Sequence, residues 1–288
     1  MVWRFSRRLF LLNLLGFTVA RCSSAPTYQG KLTIGVVDYD ADAEIINKYA
    51  NFNRYLAEKT KASIQLEPTF NENKAIERLQ AQAWSLVFAP PGLAAIAITR
   101  SQYVPIFPLM GVSNLRSVFV VRKDNPIRDL KQLQGKIVAL GQPGSATGYY
   151  LPLYNLYGLT LAEIMFAPTP KTLLEWVADG KVAAGAVSLA EFNLYRSQLS
   201  QTQFHILYTD PHYVPPGVVL INPTVERNRQ ESIRKAMSEF PGISAQAVGY
   251  IPNGKVPDYQ YMIDVVERVQ LIATELQNKP VQLFKKTT

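Results

Sequence analysis

The stretch Gly141-Gln-Pro-Gly-Ser-Ala-Thr-Gly148 decides how this sequence is expected to fold. It stands between residues 136–140, which have the pattern of a buried strand, and residues 149–157, whose apolar side chains recur at helical spacing. Such a turn delivers Ser145 and Thr147 to the start of a helix, where backbone N–H groups lack helical partners and the dipole favours negative charge. The turn is therefore a candidate anion site, and the alternative is that one of these hydroxyls only caps the helix.

Strand-like and helix-like runs alternate along the rest of the chain, which predicts parallel sheets with crossover helices. The predicted strands are residues 31–37, 63–67, 85–89, 117–122, 136–140, 183–188, 204–208 and 218–221, and the clearest predicted helices are 43–59, 72–83, 224–239 and 259–276. Residues 113–116 and the proline-rich segment 210–217 have the character of crossovers. We therefore expect two α/β lobes joined by two strands.

Several segments resemble a known family. The run Asp129-Leu-x-x-Leu-x-Gly-Lys-x-Val-Ala139, followed by Pro143-Gly-Ser-Ala-Thr-Gly148, is similar to the signature of the phosphonate/phosphate-type periplasmic solute-binding proteins of ABC importers. Leu32–Val37 resembles the first strand of that family, Ser117–Arg122 the strand that enters the second lobe, and Val177–Val187 a later helix-to-strand segment.

The resemblance implies a two-lobe, type II periplasmic-binding-protein fold in which each lobe is a mostly parallel sheet flanked by helices. Lobe 1 would comprise residues 27–113 and 216–288, and lobe 2 residues 114–215. The implied function is that of an exported substrate-binding component of an ABC importer. Such a monomer would bind a small phosphonate-, phosphate- or phosphite-like oxyanion in the interlobe cleft and present it to a membrane permease. The alternative is a periplasmic sensor of the same fold.

The expected ligand-binding residues lie at the carboxyl ends of strands and at the crossovers, which face the crevice in open α/β sheets. Tyr39 follows the first strand, and Arg116 at the first crossover offers a guanidinium that pairs bidentately with oxyanions. The complete expected set is Tyr39, Pro90, Arg116, Ser117, Ser145, Ala146, Thr147, Gly148 and Thr169.

The sequence departs from the family pattern at three places. Leu93 stands where many relatives have a pocket tyrosine, Thr169-Pro170 replaces a Ser-His pair, and Val182-Ala-Ala-Gly185 lacks the acidic residue of Val-Asp-Ala-Gly. The loop for the oxygens of an anion is largely kept while several polar partners are missing. Three further possibilities therefore stay open. The ligand could be another small oxyanion or a bulkier organic molecule, or the protein could be a receptor that has lost its transport function.

The N-terminal segment predicts export. Arg4, Arg7 and Arg8 precede an apolar run at residues 9–20, which is shorter than the roughly 20 residues of a membrane span. Residues 1–21 are therefore expected to be a signal peptide that directs the protein to the periplasm, by the general or the twin-arginine route. Cys22, the only cysteine, is a candidate lipidation site, although the preceding Arg21 departs from the small residue expected there; an ordinary leader cleaved nearby is the alternative.

Charge and motifs argue against other function classes. Net charge is +8, but four of the 30 basic residues lie within residues 1–21, so the remainder carries 26 basic against 22 acidic residues. This mild balance without a basic aromatic cluster argues against nucleic-acid binding. Neither a phosphate loop, a dinucleotide fingerprint nor a zinc spacing is present, and Ser145 lacks the Gly-x-Ser-x-Gly context of a nucleophile. We expect no catalytic residue, no metal and no cofactor.

Overall fold

A computed structural model describes residues 30–37, 44–69, 71–112, 114–199 and 203–284. The strands in these ranges are β1 (Lys31–Val37), β2 (Ser63–Thr69), β3 (Leu86–Ala89), β4 (Val104–Pro108), β5 (Ser117–Arg122), β6 (Ile137–Leu140), β7 (Thr160–Leu161), β8 (Glu163–Phe166), β9 (Ala184–Ser188), β10 (Phe204–Thr209), β11 (Val218–Ile221) and β12 (Val281–Gln282). The helices are α1 (Glu44–Thr60), α2 (Glu72–Gln80), α3 (Pro91–Ser101), α4 (Leu151–Asn155), α5 (Pro170–Ala178), α6 (Leu189–Tyr195), α7 (Arg227–Glu239), α8 (Gly242–Val248) and α9 (Gln260–Gln270). The predicted signal peptide, Cys22 and Tyr39 lie outside the described residues.

Two five-stranded sheets form the framework, with strand orders β2-β1-β3-β11-β4 and β10-β5-β9-β6-β8. In the first sheet β1 is parallel to β2 and β3, whereas β11 is antiparallel to its neighbours β3 and β4. In the second sheet β6 is parallel to β8 and β9, whereas β5 is antiparallel to β9 and β10. Each sheet therefore has four strands in one direction and a single reversed strand.

The reversed strands are the ones that follow the two crossovers. The chain leaves the first sheet after β4 and begins the second with β5; it leaves the second after β10 and returns as β11. We use lobe 1 for the part built on the first sheet and lobe 2 for the part built on the second. This topology confirms the predicted fold class, and it places the carboxyl ends of β1 and β3 opposite those of β6 and β8.

Helix α1 packs on lobe 1 by the face that its apolar spacing predicts. Ile45, Tyr49, Phe52 and Leu56 are all buried, and Phe52 makes edge-to-face contacts with the rings around it. The adjacent Ile46 is 60 % exposed, because it lies one position beyond the buried stripe. The opposite face of α1 is left to polar side chains.

None of the helices in the described part of the chain combines the length and apolar character that crossing a membrane requires.

One hydrophobic cluster runs through both lobes. It contains Trp84 and Leu93 from lobe 1 together with Phe119 and Leu151 from lobe 2, all completely buried. Helix α9 joins the two halves of this cluster because it packs against α3 of lobe 1 and α4 of lobe 2. Apolar burial contributes about 25 cal/mol per Å². The lobes are therefore held together by packing as well as by the connecting strands.

The C-terminal segment makes a third connection between the lobes. After α7 and α8, which pack on α1 in lobe 1, the chain continues through α9 to β12, which pairs with β7 of lobe 2. Leu283 extends this pairing through hydrogen bonds with Gly158 and Leu159. The last described residues therefore lie against lobe 2, although they belong to the range 216–288 that was predicted for lobe 1. The boundaries near residues 113 and 216 stay a prediction.

Asp210 fixes the return crossover. Its carboxylate is completely buried and accepts hydrogen bonds from Asn155 Nδ2 of lobe 2, at 2.6 Å, and from the His212 backbone N–H, at 2.8 Å. The His212 ring nitrogen Nδ1 lies 3.1 Å from the same carboxylate, and the ring stacks on Tyr261 of α9 at 4.0 Å. One buried carboxylate thus joins lobe 2, the crossover and the C-terminal segment.

We expect Asp210→Ala to lower the free energy of unfolding by about 1–3 kcal/mol, because the donors of Asn155 and His212 lose their buried acceptor. Urea denaturation measures this loss. Asp124→Ala is the matched control, since Asp124 pairs with Arg122 at the exposed surface, where an ion pair contributes little. Equal destabilisation by both substitutions would contradict the role given to Asp210.

Candidate functional site

The loop Gly141–Gly148 begins directly after β6 and closes on itself. The Gly141 N–H donates to the Gly148 carbonyl at 2.8 Å, and the α-carbons are so close that a side chain on Gly141 would crowd Gly148. Gly144 has φ +110°, in the left-handed region that favours glycine. The three glycines therefore make this compact turn possible.

Ser145 is the N-cap of a short π-helix, Ala146–Tyr150, that leads into α4. Its Oγ accepts a hydrogen bond from the Gly148 N–H at 3.0 Å, and its carbonyl accepts from the N–H groups of Tyr149 and Tyr150. The capping interpretation of Ser145 is thus correct. It does not exclude an anion role, because a hydroxyl that accepts a hydrogen bond can still donate its own proton.

Ser117 anchors the loop to β5. Its Oγ donates to the Thr147 carbonyl at 2.6 Å, and both residues are almost completely buried. Burial also raises the pKa of the Tyr149 hydroxyl to about 12, so this neighbouring phenol stays neutral at physiological pH. The structure therefore brings Ser117 together with Ser145, Thr147 and Gly148, as a rigid unit at the end of the second sheet.

The start of α3 faces this loop from the other lobe. Pro90 is the N-cap and Pro91 the first residue of this 11-residue helix. A Cβ placed on Gly92 would overlap the Gly144 carbonyl oxygen and lie 2.8 Å from the Ala146 nitrogen. The two lobes therefore meet here backbone to backbone, and glycine is needed for the approach.

Two further side chains complete this interlobe contact. A Cβ on Gly144 would overlap the Cβ of Glu72, the first residue of α2. Leu93 is completely buried and its Cδ2 would lie 3.3 Å from that same Cβ. An apolar side chain therefore fills this part of the contact.

A cavity of about 300 Å³ lies beside this contact, on the lobe 1 side. It is bounded by the ends of β1 and β3, by α1, by the start of α3 and by both crossovers. Among the described residues that line it are Val37, Lys48, Pro90, Leu109, Met110, Val112, Leu115 and Pro216. Among the described lining residues, the ammonium group of Lys48 is the only charged group.

The remaining predicted residues, Arg116 and Thr169, are not among the described residues that line the cavity. The Arg116 guanidinium lies 3.9 Å from the centre of the Tyr213 ring and donates to the Asp210 carbonyl at 3.4 Å, so it braces the two crossovers. Thr169 is exposed and caps α5. It follows Ala167, whose carbonyl accepts a hydrogen bond from the Gln142 side chain of the loop.

Sequence reasoning missed Gly92 and Lys48. The expected ligand-binding set includes Pro90 but not Gly92, although a glycine directly after proline at a helix start is a signal for close approach. Lys48 lies on the polar face of the predicted helix, where a solvated lysine is the ordinary expectation. Lys48 lines the cavity because α1 lies beside the ends of β1 and β3, and the sequence alone does not show this position.

Comparison with known proteins agrees with this geometry. The model of the family described as the phosphonate ABC transporter periplasmic substrate-binding protein matches residues 34–248. The chain belongs to this family. Its members bind solutes for transport and are not enzymes, which confirms that expectation. No curated protein sequence matches the chain.

Solved structures show the same fold at low sequence identity. XAC2383 from Xanthomonas citri, bound to ATP, has a TM-score of 0.68 at 17% identity, over 84% of this chain and 98% of that one. PhnD1 from Prochlorococcus marinus, in complex with methylphosphonate, has a TM-score of 0.61 at 17% identity, over 85% and 99%. A binding-protein component of an ABC phosphonate transporter from Pseudomonas aeruginosa has a TM-score of 0.60 at 11% identity, over 86% and 88%.

We expect Gly92→Ala to separate the lobes, because the new methyl group would overlap the Gly144 carbonyl. Small-angle scattering should show a larger radius of gyration than for the unsubstituted protein. Gly242→Ala is the matched control: Gly242 also follows a proline at a helix start, and a Cβ there meets no atom within 4 Å. An unchanged radius of gyration for Gly92→Ala would show that the contact does not hold the lobes closed.

Proposed function

We propose that this protein is the periplasmic substrate-binding component of an ABC importer and that it binds a small phosphorus oxyanion between its lobes. The observation that carries the proposal is the cavity at the strand ends, which adjoins the start of α3 and has Lys48 as the only charged group among its described lining residues. No carboxylate lies among the described lining residues. The charge of the site therefore favours an anion.

The helix start strengthens this preference. The first N–H groups of a helix lack partners within it, and an 11-residue helix such as α3 carries a partial positive charge at its beginning. Pro90 and Pro91 line the cavity while the adjacent Gly92 contacts the Gly141–Gly148 loop. We therefore place the oxyanion at the start of α3, beside the loop that carries the hydroxyls of Ser145 and Thr147.

The comparisons support the chemical class. The family is that of phosphonate transporters, and two structures of the same fold were solved with methylphosphonate and with ATP. Both compounds carry tetrahedral phosphorus with negatively charged oxygens. Phosphonate, phosphate and phosphite are accordingly the solutes to test first.

The proposal includes export and hinge motion. Residues 1–21 would direct the chain to the periplasm, with Cys22 as the candidate lipid anchor, and a monomer would deliver its solute to a membrane permease. Lobe closure would then report the bound state to that permease. Intact-mass analysis of the mature protein separates a lipidated from a trimmed N-terminus.

We expect the double substitution Ser145→Ala and Thr147→Ala to weaken methylphosphonate binding about 100-fold or more, because two hydrogen bonds to a charged group are lost. Calorimetric titration measures the affinity. Loss of the Ser145 cap also lowers stability by about 1 kcal/mol. If thermal melts show that loss while the affinity stays the same, the two hydroxyls serve only the fold.

We expect Lys48→Gln to weaken binding of the same anion about fivefold, the size of a solvent-exposed charge interaction. The effect should shrink as salt is raised, because screening weakens it further. Lys59→Gln is the control, since Lys59 lies in the last turn of the same helix, far along it from the cavity. Equal changes for both variants would indicate a general effect of net charge and remove Lys48 from the site.

A further inference from the structure

We infer that Ser117 is a positioning residue that couples the Gly141–Gly148 loop to the return crossover, residues 210–217, and does not contact the solute itself. The inference rests on the proposed function and deepens it, since it names the side chain through which an anion at the loop acts on the connection between the lobes. It follows from the direction of one buried hydrogen bond and from the backbone groups that Ser117 joins.

The hydroxyl of Ser117 is committed to the loop. Its Oγ donates to the Thr147 carbonyl at 2.6 Å, and both residues are almost completely buried. A serine hydroxyl has a single proton, so this bond leaves none to donate to an oxyanion. Ser117 therefore acts on a bound anion through the position of Thr147.

Thr147 needs this partner because of the local helix geometry. In the π-helical turn, the Leu151 N–H donates to the Ala146 carbonyl, five residues back. The corresponding donor for the Thr147 carbonyl would belong to Pro152, which has no N–H. A buried carbonyl without a partner is unfavourable. Ser117 supplies the missing donor, and β5 thereby holds the loop in its observed shape.

The backbone around Ser117 holds the return crossover. The Ser117 carbonyl accepts the Asp210 N–H at 2.9 Å, and the Leu115 carbonyl accepts the Val214 N–H at 2.8 Å. The Asp210 carboxylate in turn accepts from Asn155 of α4, the helix that continues directly from the π-helical turn. These bonds form a closed cycle with the loop, so a displacement of the loop displaces the return crossover as well.

Coupling of this kind acts in both directions. An anion that stabilises the loop also stabilises the return crossover, and the crossover contributes the same free energy to binding of the anion. Two quantities therefore report on Ser117, namely the affinity for the anion and the exchange of amide hydrogens in the crossover. A serine that only stabilises the fold would lower the melting temperature on substitution and leave both quantities as they are.

The first test measures methylphosphonate affinity by calorimetric titration of the full mature chain. Ser117→Ala should weaken binding about fivefold, the effect of one neutral hydrogen bond. Ser188→Ala is the matched control: Ser188 lies opposite Ser117 on β9 and is also buried, but its hydroxyl caps α6. Thermal melts establish that both variants are folded. An unchanged affinity for Ser117→Ala, or the same loss for Ser188→Ala, overturns the inference.

A double-mutant cycle separates positioning from direct contact. If Ser117 acts through Thr147, Ser117→Ala should change the affinity less than about twofold when Thr147→Ala is already present, because coupled residues are not additive. A residue that contacted the anion independently would weaken binding by the same factor in both backgrounds. That additive result overturns the inference.

Hydrogen exchange tests the other end of the coupling. Saturating methylphosphonate should slow exchange of the Asp210, His212 and Val214 amides in the unsubstituted protein, and this protection should be lost in Ser117→Ala at a concentration that still saturates the site. Protection that persists in Ser117→Ala overturns the inference and leaves the proposed function standing. Failure of the unsubstituted protein to bind methylphosphonate, phosphate or phosphite overturns the proposed function itself.

Discussion

The close approach of Gly92 to Gly144 is the constraint on which the rest of this structure depends. Neither position accepts a β-carbon without a clash, and the contact joins the beginning of α3 in one lobe to the loop after β6 in the other. It brings Leu93 into the shared apolar cluster and leaves the cavity to one side, bounded by the crossovers. The shape of the site is therefore set by backbone contact between lobes, and side chains then determine its chemistry.

The division of chemistry within the site follows from the same contact. On one side stand the groups suited to an anion, namely the start of α3, Lys48 and the hydroxyl-bearing loop. On the other side stand the apolar walls formed by the crossovers. Family membership points to the first side, whereas the second side consists mostly of apolar side chains among the described lining residues. Specificity in such a receptor depends on both sides, because the oxyanion alone is common to many solutes.

Strands made of buried apolar runs were the most predictable part of the fold. β1, β5 and β11 have the predicted bounds residue for residue, since each is a buried run of β-branched and other apolar side chains. The short β7 and β12 were missed because two residues carry no periodic pattern, and their pairing depends on a contact between distant segments. The loop Gly141–Gly148 was correctly placed before a helix, but its π-helical start could not be foreseen. It results from bonds of Tyr149 and Tyr150 to one carbonyl. The contact of Gly92 with Gly144 and the place of Lys48 at the cavity depend on how distant segments are arranged in the fold, which the sequence does not show.

The C-terminal connection from α9 to β12 changes the mechanics of the molecule. If the two crossovers were the only connections, the lobes could both move apart and rotate relative to each other. A third link, attached to lobe 2 at β7, restricts how the lobes can move relative to each other. While β12 stays paired with β7, an opening of the Gly92–Gly144 contact is therefore compatible with only a limited set of lobe orientations.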